Sequence, residues 1–390
     1  MARKKSANGD GTLSKRKDKN GKHNGWKGAV VVGYKADGTL DRRWVSGTTQ
    51  QETQDKRDKL KAELRLGLVS DTKGITMGQF LDQWMEHKRV SLKPKSIEDY
   101  SWVIEHRLKP TLERLPLEKL KVLDIERMMR KVREETSPNA AKRARTVLRM
   151  ALEQAVKWQM VPRNLADIVD VPKIEKKEMQ VWEPGQVTRF LALVQLHRLS
   201  AFFHLALTTG MRCGELQALR WADIDWEKST LQVRLTANEI RGHITFNTPK
   251  SRASRRTIHL SPSTMETLTA HRKRQAQERQ ALEGGWKESG LVFASDVGTP
   301  LSNANLRRLL ILQSAKAELP TIRLHDMRHT AATAMIRRGY TAKLVADILG
   351  HTDPGFTLRE YAHIWDEQRR EFAPSAADLY GSPSQPAVLH

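Results

Sequence analysis

The run Val171-Pro172-Lys173-Ile174-Glu175-Lys176-Lys177 splits the chain into parts that one core cannot join. Proline interrupts a helix and unpaired lysines resist burial, so the segment reads as a linker. Before it lies a long stretch of helical periodicity; beyond it, helices mix with short β-prone runs. A chain of 390 residues suits two or three such modules, each with its own apolar interior.

Residues 1–25 are rich in Lys, Arg, Gly, Asn and Ser and nearly free of apolar side chains, which predicts a disordered basic arm. From 26 to 70 the pattern changes. Ala29 to Tyr34 is β-prone, Asp37-Gly38 is a hairpin signal, and Arg42 to Ser46 reads as the returning strand. Thr49-Gln50-Gln51-Glu52 has capping-box spacing ahead of a charged helix reaching about Leu66. Gly74 is a hinge, and 74–172 reads as helices: one capped by Thr76, one over Pro94 to His106, one carrying Val122 to Val132, and a long one opened by Ser137-Pro138. Residues 176–372 read as a helical domain with one small antiparallel sheet built from Leu231 to Leu235, Ile244 to Asn247 and Thr257 to Leu260. Residues 373–390 read as a loose tail. The fold class is therefore mainly α with small antiparallel sheets.

A formal net charge of +22 points to a polyanionic partner, with nucleic acid ahead of a merely soluble basic surface. Lys35, Arg42 and Arg43 on the N-terminal hairpin are candidate DNA contacts. So are Lys142, Arg143, Arg145 and Arg149 on the long helix, where a solvated charged face is the plainer alternative. No apolar run approaches the ~18 residues of a spanning helix. Nor does an apolar segment follow the basic start, so there is no secretory signal and the expected location is the cytoplasm. The single cysteine, Cys213, forms no intramolecular disulfide and no cysteine zinc site. Phosphate-loop, zincin and EF-hand spacings are absent, so no metal and no cofactor is expected.

Four separated segments in the last module place a cation or a nucleophile where loop meets helix or strand. They are Thr209-Gly210-Met211-Arg212-Cys213-Gly214-Glu215, then Thr248-Pro249-Lys250, then His325-Asp326-Met327-Arg328, then Leu349-Gly350-His351 followed ten residues later by Tyr361. Singly, each has a plainer explanation as a surface ion pair, a turn lysine or a half-buried tyrosine. Jointly, their order and spacing resemble the tyrosine recombinase (phage integrase) family, whose pattern is TG-x-R-x-x-E, a hairpin lysine, H-x-x-R, LGH and a final tyrosine. The spacing from His351 to Tyr361 is longer than in the shortest family forms.

The resemblance implies a site-specific recombinase that integrates, and also excises, a phage or other mobile element. Residues 26–70 would be an arm-type DNA-binding domain, 74–172 a core-binding domain and 176–372 the catalytic domain. The partners implied are double-stranded DNA at core-type and arm-type sites, three further copies in a homotetrameric synapse, and an accessory DNA-bending protein and excision factor. No membrane is involved. Tyr361 would be the nucleophile forming a 3′-phosphotyrosine. Arg212 and Arg328 would clamp the phosphate, helped by His325 and His351, either of which would accept the tyrosine proton. Lys250 would be the general acid and Glu215 would orient Arg212. Because one phosphodiester is exchanged for another phosphate ester, neither ATP nor metal is needed. The rival readings are type IB topoisomerase-like relaxation and a catalytically idle, integrase-derived DNA-binding protein.

Overall fold

The computed structural model describes residues 13–17, 23–34, 38–65, 74–171, 174, 179–249, 252–362 and 364. Two compact units divide the chain between Lys176 and Lys177.

In the first unit, β1 (Leu13–Lys17), β2 (His23–Tyr34) and β3 (Leu40–Gly47) form an antiparallel sheet in that order. The strand β1 corrects the expectation of a disordered arm over 1–25. Pairing with β2 satisfies its backbone, and Leu13 sits beside Gly28, where an added Cβ would lie 2.9 Å from the leucine side chain. The helix α1 (Gln50–Arg65) covers one face of the sheet through buried Thr53 and Arg57. Thr49 Oγ1 accepts from Glu52 N (3.1 Å), but the Glu52 carboxylate takes the amide and hydroxyl of Thr48, one residue earlier than a simple capping box.

Strand alternation sorts the hairpin cations. Arg42, opposite Val31, lies on the open face with Trp44, which is 59% exposed and lies under the Lys27 ammonium. Arg43, opposite buried Val30, takes the helix-side face and is half-buried. The two candidate DNA contacts Arg42 and Arg43 thus lie on opposite faces of the sheet. Lys35 lies outside the described residues.

Helices α2 (Met77–Arg89), α3 (Pro94–Val103), α4 (Lys109–Leu112), α5 (Val122–Glu135) and α6 (Pro138–Lys157) enclose a second interior. Thr76 and Gln79 cap α2 reciprocally, and Ser137 Oγ accepts from Ala140 N (3.2 Å) at the start of α6. Between α3 and α4 the ladder widens into a π-turn over Ile104–Leu108, where Pro110 supplies no N–H. An aromatic wall of Trp84 stacked on Tyr100, and Phe80 edge-on to Trp158, lines this core. The inner stripe of α6 (Ala144, Leu148, Ala151, Ala155) is fully buried. On its outer face Arg143 pairs with Asp99 and lies over Tyr100, and Arg149 pairs with Asp167 (2.5 Å). Lys142 is exposed and Arg145 half-buried, and neither has an ion pair among the described residues.

The second unit begins with α7 (Pro184–Val194), α8 (Ser200–Thr209) and α9 (Cys213–Gln217). The short strands β4 (Ile224–Asp225) and β5 (Thr230–Gln232) follow, then the hairpin β6 (Thr236–Ile240) and β7 (His243–Asn247), then β8 (Thr257–His259). Helices α10 (Pro262–Ala281), α11 (Asn303–Lys316), α12 (Asp326–Arg337), α13 (Ala342–Leu349) and α14 (Pro354–Glu360) complete it. In place of the one expected sheet there are two, β4-β5-β8 and the separate β6-β7 ribbon. Val233 N stays bonded to Arg256 O beside β8, while β6 diverges to lie against α9. There Gly214 lets the Ala237 carbonyl approach to 2.8 Å of where a Cβ would stand. Helix α8 is apolar on nearly all sides and runs through the interior, with Phe202, Phe203, Leu205 and Ala206 buried. Among the described residues no helix is long and apolar enough to cross a membrane.

Replacing Leu148 by Ala removes a side chain that is wholly buried in the first unit. It should lower stability by about 2–5 kcal/mol, read as a lower urea midpoint by circular dichroism.

Candidate active site

Helix α8 ends at Gly210, whose φ of +62° is left-handed and where a Cβ would lie 2.5 Å from Leu349 Cδ2. Only glycine satisfies both constraints. The turn delivers Arg212 to the start of α9, one turn ahead of Glu215. Arg212 Nη1 donates to Glu215 Oε1 (2.8 Å), and the Arg212 amide donates to the other carboxylate oxygen (3.0 Å). Glu215 thus holds both the backbone and the guanidinium of Arg212.

A third arginine completes this arrangement. Arg256, just before β8, donates through Nη2 to Glu215 Oε2 (3.0 Å) and is itself buried. Burial alone would lift the Glu215 pKa, but Arg256 and then Arg212 outweigh it and hold the carboxyl below its ordinary range.

The C-terminus of α13 gathers all the guanidinium groups. Arg256 Nε donates to Ile348 O (2.5 Å), Arg328 Nη2 to Leu349 O (2.8 Å), and Arg212 Nη2 to Gly350 O (3.4 Å). Arg328 Nη1 also donates to Gly210 O (2.8 Å), tying α8, α12 and α13 together. Burial, reinforced by Arg212, pulls the Arg328 pKa down to about 9, so it stays charged at neutral pH. The side chain of Arg212 keeps 36% of its surface exposed and faces a cleft of about 640 Å³. Ser254, Gly350, His351 and Phe356 also line that cleft, as does Pro249. Lys250 lies outside the described residues.

The histidines are held neutral. His325, at the N-cap of α12, has its pKa lowered to about 4 by desolvation, His329, Arg328 and Arg212. His351, whose Nδ1 lies 2.6 Å from Thr357 Oγ1, is brought down to about 3 by burial and by Arg328, Arg212 and Arg256. A bound phosphodiester would oppose those arginine charges and raise both values.

Tyr361 closes α14 and is 1% exposed, packed among Ala332, Ile336, Val345, Leu349 and Ile364. Its phenol is pushed above the ordinary tyrosine range, first by burial and then by Glu360, against the opposing pull of Arg328. Neither His325 nor His351, the two expected proton acceptors, hydrogen-bonds it. Its hydroxyl instead lies 2.8 Å from Nδ1 of His329. The histidine follows Arg328 directly and stands four residues beyond His325 on the same helix face, a spacing visible in the sequence. Arg256 was hidden among the neighbouring Arg252 and Arg255.

Two family models match the chain: "Phage integrase family" over residues 181–368 and "Phage integrase, N-terminal SAM-like domain" over 76–132. A "Tyrosine recombinase XerC-like" protein of Caldanaerobacter subterraneus subsp. tengcongensis is 28% identical over 384 residues, covering 93% of this chain and 98% of its own length. Among solved structures, a Tn1549 transposon integrase in complex with a circular intermediate DNA shares the fold with a TM-score of 0.65 and 22% identity, over 77% of this chain and 99% of that one. A lambda integrase tetramer bound to a Holliday junction matches with a TM-score of 0.54 and 18% identity, over 87% of this chain and 96% of that one. The chain belongs to the tyrosine recombinase (phage integrase) family.

Removing the Glu215 carboxylate leaves clustered guanidinium groups without their shared counter-ion. Glu215→Gln should destabilise the unit by about 3–5 kcal/mol at neutral pH, measured by chemical denaturation. The pH dependence has a definite sign. A carboxyl whose folded pKa is depressed stabilises fully above its unfolded value of about 4.3 and loses that contribution as pH falls through the folded value. The difference in stability between wild type and Glu215→Gln should therefore shrink with acidification below that point.

Proposed function

We propose that this protein is a site-specific DNA recombinase that integrates a mobile element by cutting and rejoining DNA through a 3′-phosphotyrosine on Tyr361. The observation that carries this reading is the gathering of Arg212, Arg328 and Arg256 on the end of α13, with Tyr361 closing the next helix. A phosphodiester is already anionic, and in-line attack spreads further charge over its non-bridging oxygens. Arg212 and Arg328 retain N–H donors not used on the protein carbonyls and would stabilise that charge. The neutral rings of His325 and His351 would add hydrogen bonds without requiring a proton from solution. Lys250 would protonate the departing 5′ oxygen. Exchange of one phosphate ester for another conserves bond energy, so the reaction would need neither ATP nor metal.

Residues 74–172 would bind core-type sites and 176–372 would carry the chemistry. Residues 26–70 would bind arm-type DNA through the open face of the sheet, where Arg42, Lys27 and Trp44 combine charge with an aromatic surface. On α6, Lys142 and Arg145 would meet phosphate directly, while Arg143 and Arg149 would first exchange their carboxylate partners. The likeness to a tetramer on a Holliday junction supports a tetrameric synapse. A bacterial cytoplasm would be the setting, with a DNA-bending protein and an excision factor as auxiliaries.

The central test is an SDS-quenched reaction on supercoiled plasmid carrying the DNA that flanks this gene, with host extract added. Wild type should give covalent protein–DNA complex and recombinants only with flanking DNA, and Tyr361→Phe should give neither. Relaxation of every plasmid would indicate a topoisomerase, and binding without Tyr361-dependent covalent complex would sink the catalytic reading. In the same assay Arg328→Lys should slow covalent complex formation by about a hundred- to a thousandfold, since a lysine cannot span Gly210 and Leu349 while contacting phosphate. For the N-terminal module, Arg42→Ala should weaken arm-type DNA binding and reduce the log–log salt slope by about one, while Arg43→Ala should leave that slope unchanged in a fluorescence-anisotropy titration.

A further inference from the structure

We propose that His329 is the proton acceptor for the Tyr361 hydroxyl in the cleavage step, a catalytic role additional to those of His325 and His351. This rests on the reading of Tyr361 as the nucleophile. Three histidines lie around the end of α13, and only one makes a hydrogen bond to the phenol: His329 Nδ1, at 2.8 Å, with the two rings 5.9 Å apart and inclined at 52°. His351 has its Nδ1 engaged with Thr357 Oγ1. His325 packs edge-on against His329, ring to ring at 5.0 Å.

The position of His329 is fixed by a rigid element. It sits in α12 between buried Arg328 and Thr330 and one turn before buried Ala332. Residues three and four apart share a helix face, so His325, Arg328, His329 and Ala332 form one strip. A phosphate gripped by Arg328 and His325 therefore lies beside the hydroxyl that His329 holds. A phenolic O–H can only donate here if Nδ1 is unprotonated, which assigns the ring proton to Nε2. The surroundings favour that neutral ring. Burial, Arg328 and Arg323 lower the His329 pKa, outweighing Asp326 and Glu360, which raise it. The phenol, pushed upward by burial, stays protonated at neutral pH and needs an acceptor.

The step balances. Tyr361 Oη bonds to phosphorus as its proton passes to His329 Nδ1. The bond from phosphorus to the 5′ oxygen breaks, its electron pair leaves on that oxygen, and the general acid Lys250 supplies the proton there. In rejoining, the 5′ hydroxyl oxygen bonds to phosphorus as its proton returns to Lys250, the bond from phosphorus to Tyr361 Oη breaks, and the proton held by His329 passes back to the phenolate.

The test is single-turnover cleavage by the full chain of a nicked duplex bearing the flanking site, from which the cut fragment escapes and traps the covalent complex. The variants are His329→Asn, which keeps a hydrogen-bonding group near the Nδ1 position but takes no proton, and His329→Ala. Each is made with natural Tyr361 and with a fluorinated tyrosine there whose phenol ionises near neutral pH. Melting curves and DNA titrations establish that the variants fold and bind. His329→Asn should cleave about a hundredfold more slowly at unchanged DNA affinity. The fluorinated tyrosine should recover most of that loss in the variants while altering wild type little, because an ionised phenol needs no acceptor. Equal losses with both tyrosines would overturn the proposal in favour of simple packing, and so would an unchanged rate in His329→Asn. Absence of covalent complex in wild type would overturn the nucleophile reading itself, a result separate from any effect of His329.

Discussion

The end of helix α13 is the interaction on which the second unit depends. Three successive carbonyls, of Ile348, Leu349 and Gly350, each accept from a different arginine. Guanidinium groups crowded together repel one another, and burial removes the water that would screen them. Two devices offset this: the partial negative charge at a helix C-terminus, and the buried Glu215 carboxylate shared by Arg212 and Arg256. Because the three arginines come from the start of α9, the approach to β8 and the first turn of α12, the same contacts lock three distant segments of chain together.

The electrostatics extend outward from that point. An excess of 22 positive charges over the chain draws a polyanion in, but such a field has no address. Local order supplies one. Arg212 is open to the cleft whereas Arg328 and Arg256 are buried, so the cleft presents one accessible guanidinium fork backed by less accessible positive charge. The neighbouring histidines stay neutral under that charge, which limits repulsion in the free protein.

Much of this was legible in the sequence because it is written locally. Thr76 and Ser137 announce their helices by capping chemistry, and the order of Arg212, His325, Arg328, His351 and Tyr361 carried the family resemblance. What was not legible depends on long-range packing. Nothing local distinguishes Arg256 from Arg255; only the fold places one of them against Glu215. The strand over Leu13–Lys17 looks like a disordered tail until β2 offers it a pairing edge. Splitting of the expected sheet follows from the approach of β6 to Gly214, a contact between segments more than a turn apart. Arg42 and Arg43 were grouped by charge although strand alternation alone separates them, and His329 was overlooked although its spacing from His325 was in plain view.

The short turn between α13 and α14 has an engineering consequence. Gly350, with φ of +70°, ends one helix, and Asp353 caps the next by accepting from Gly355 N (2.8 Å). The three guanidinium groups are anchored on other elements and on carbonyls up to Gly350, His351 lies within the turn, and Tyr361 is carried after it. Adding or deleting one residue here would rotate α14 by about 100° and shift it by about 1.5 Å, with the guanidinium contacts to Ile348, Leu349 and Gly350 left in place. The placement of Tyr361 and the packing of the charge cluster are thus separable parameters, and a change of length in this turn would move the one without rebuilding the other.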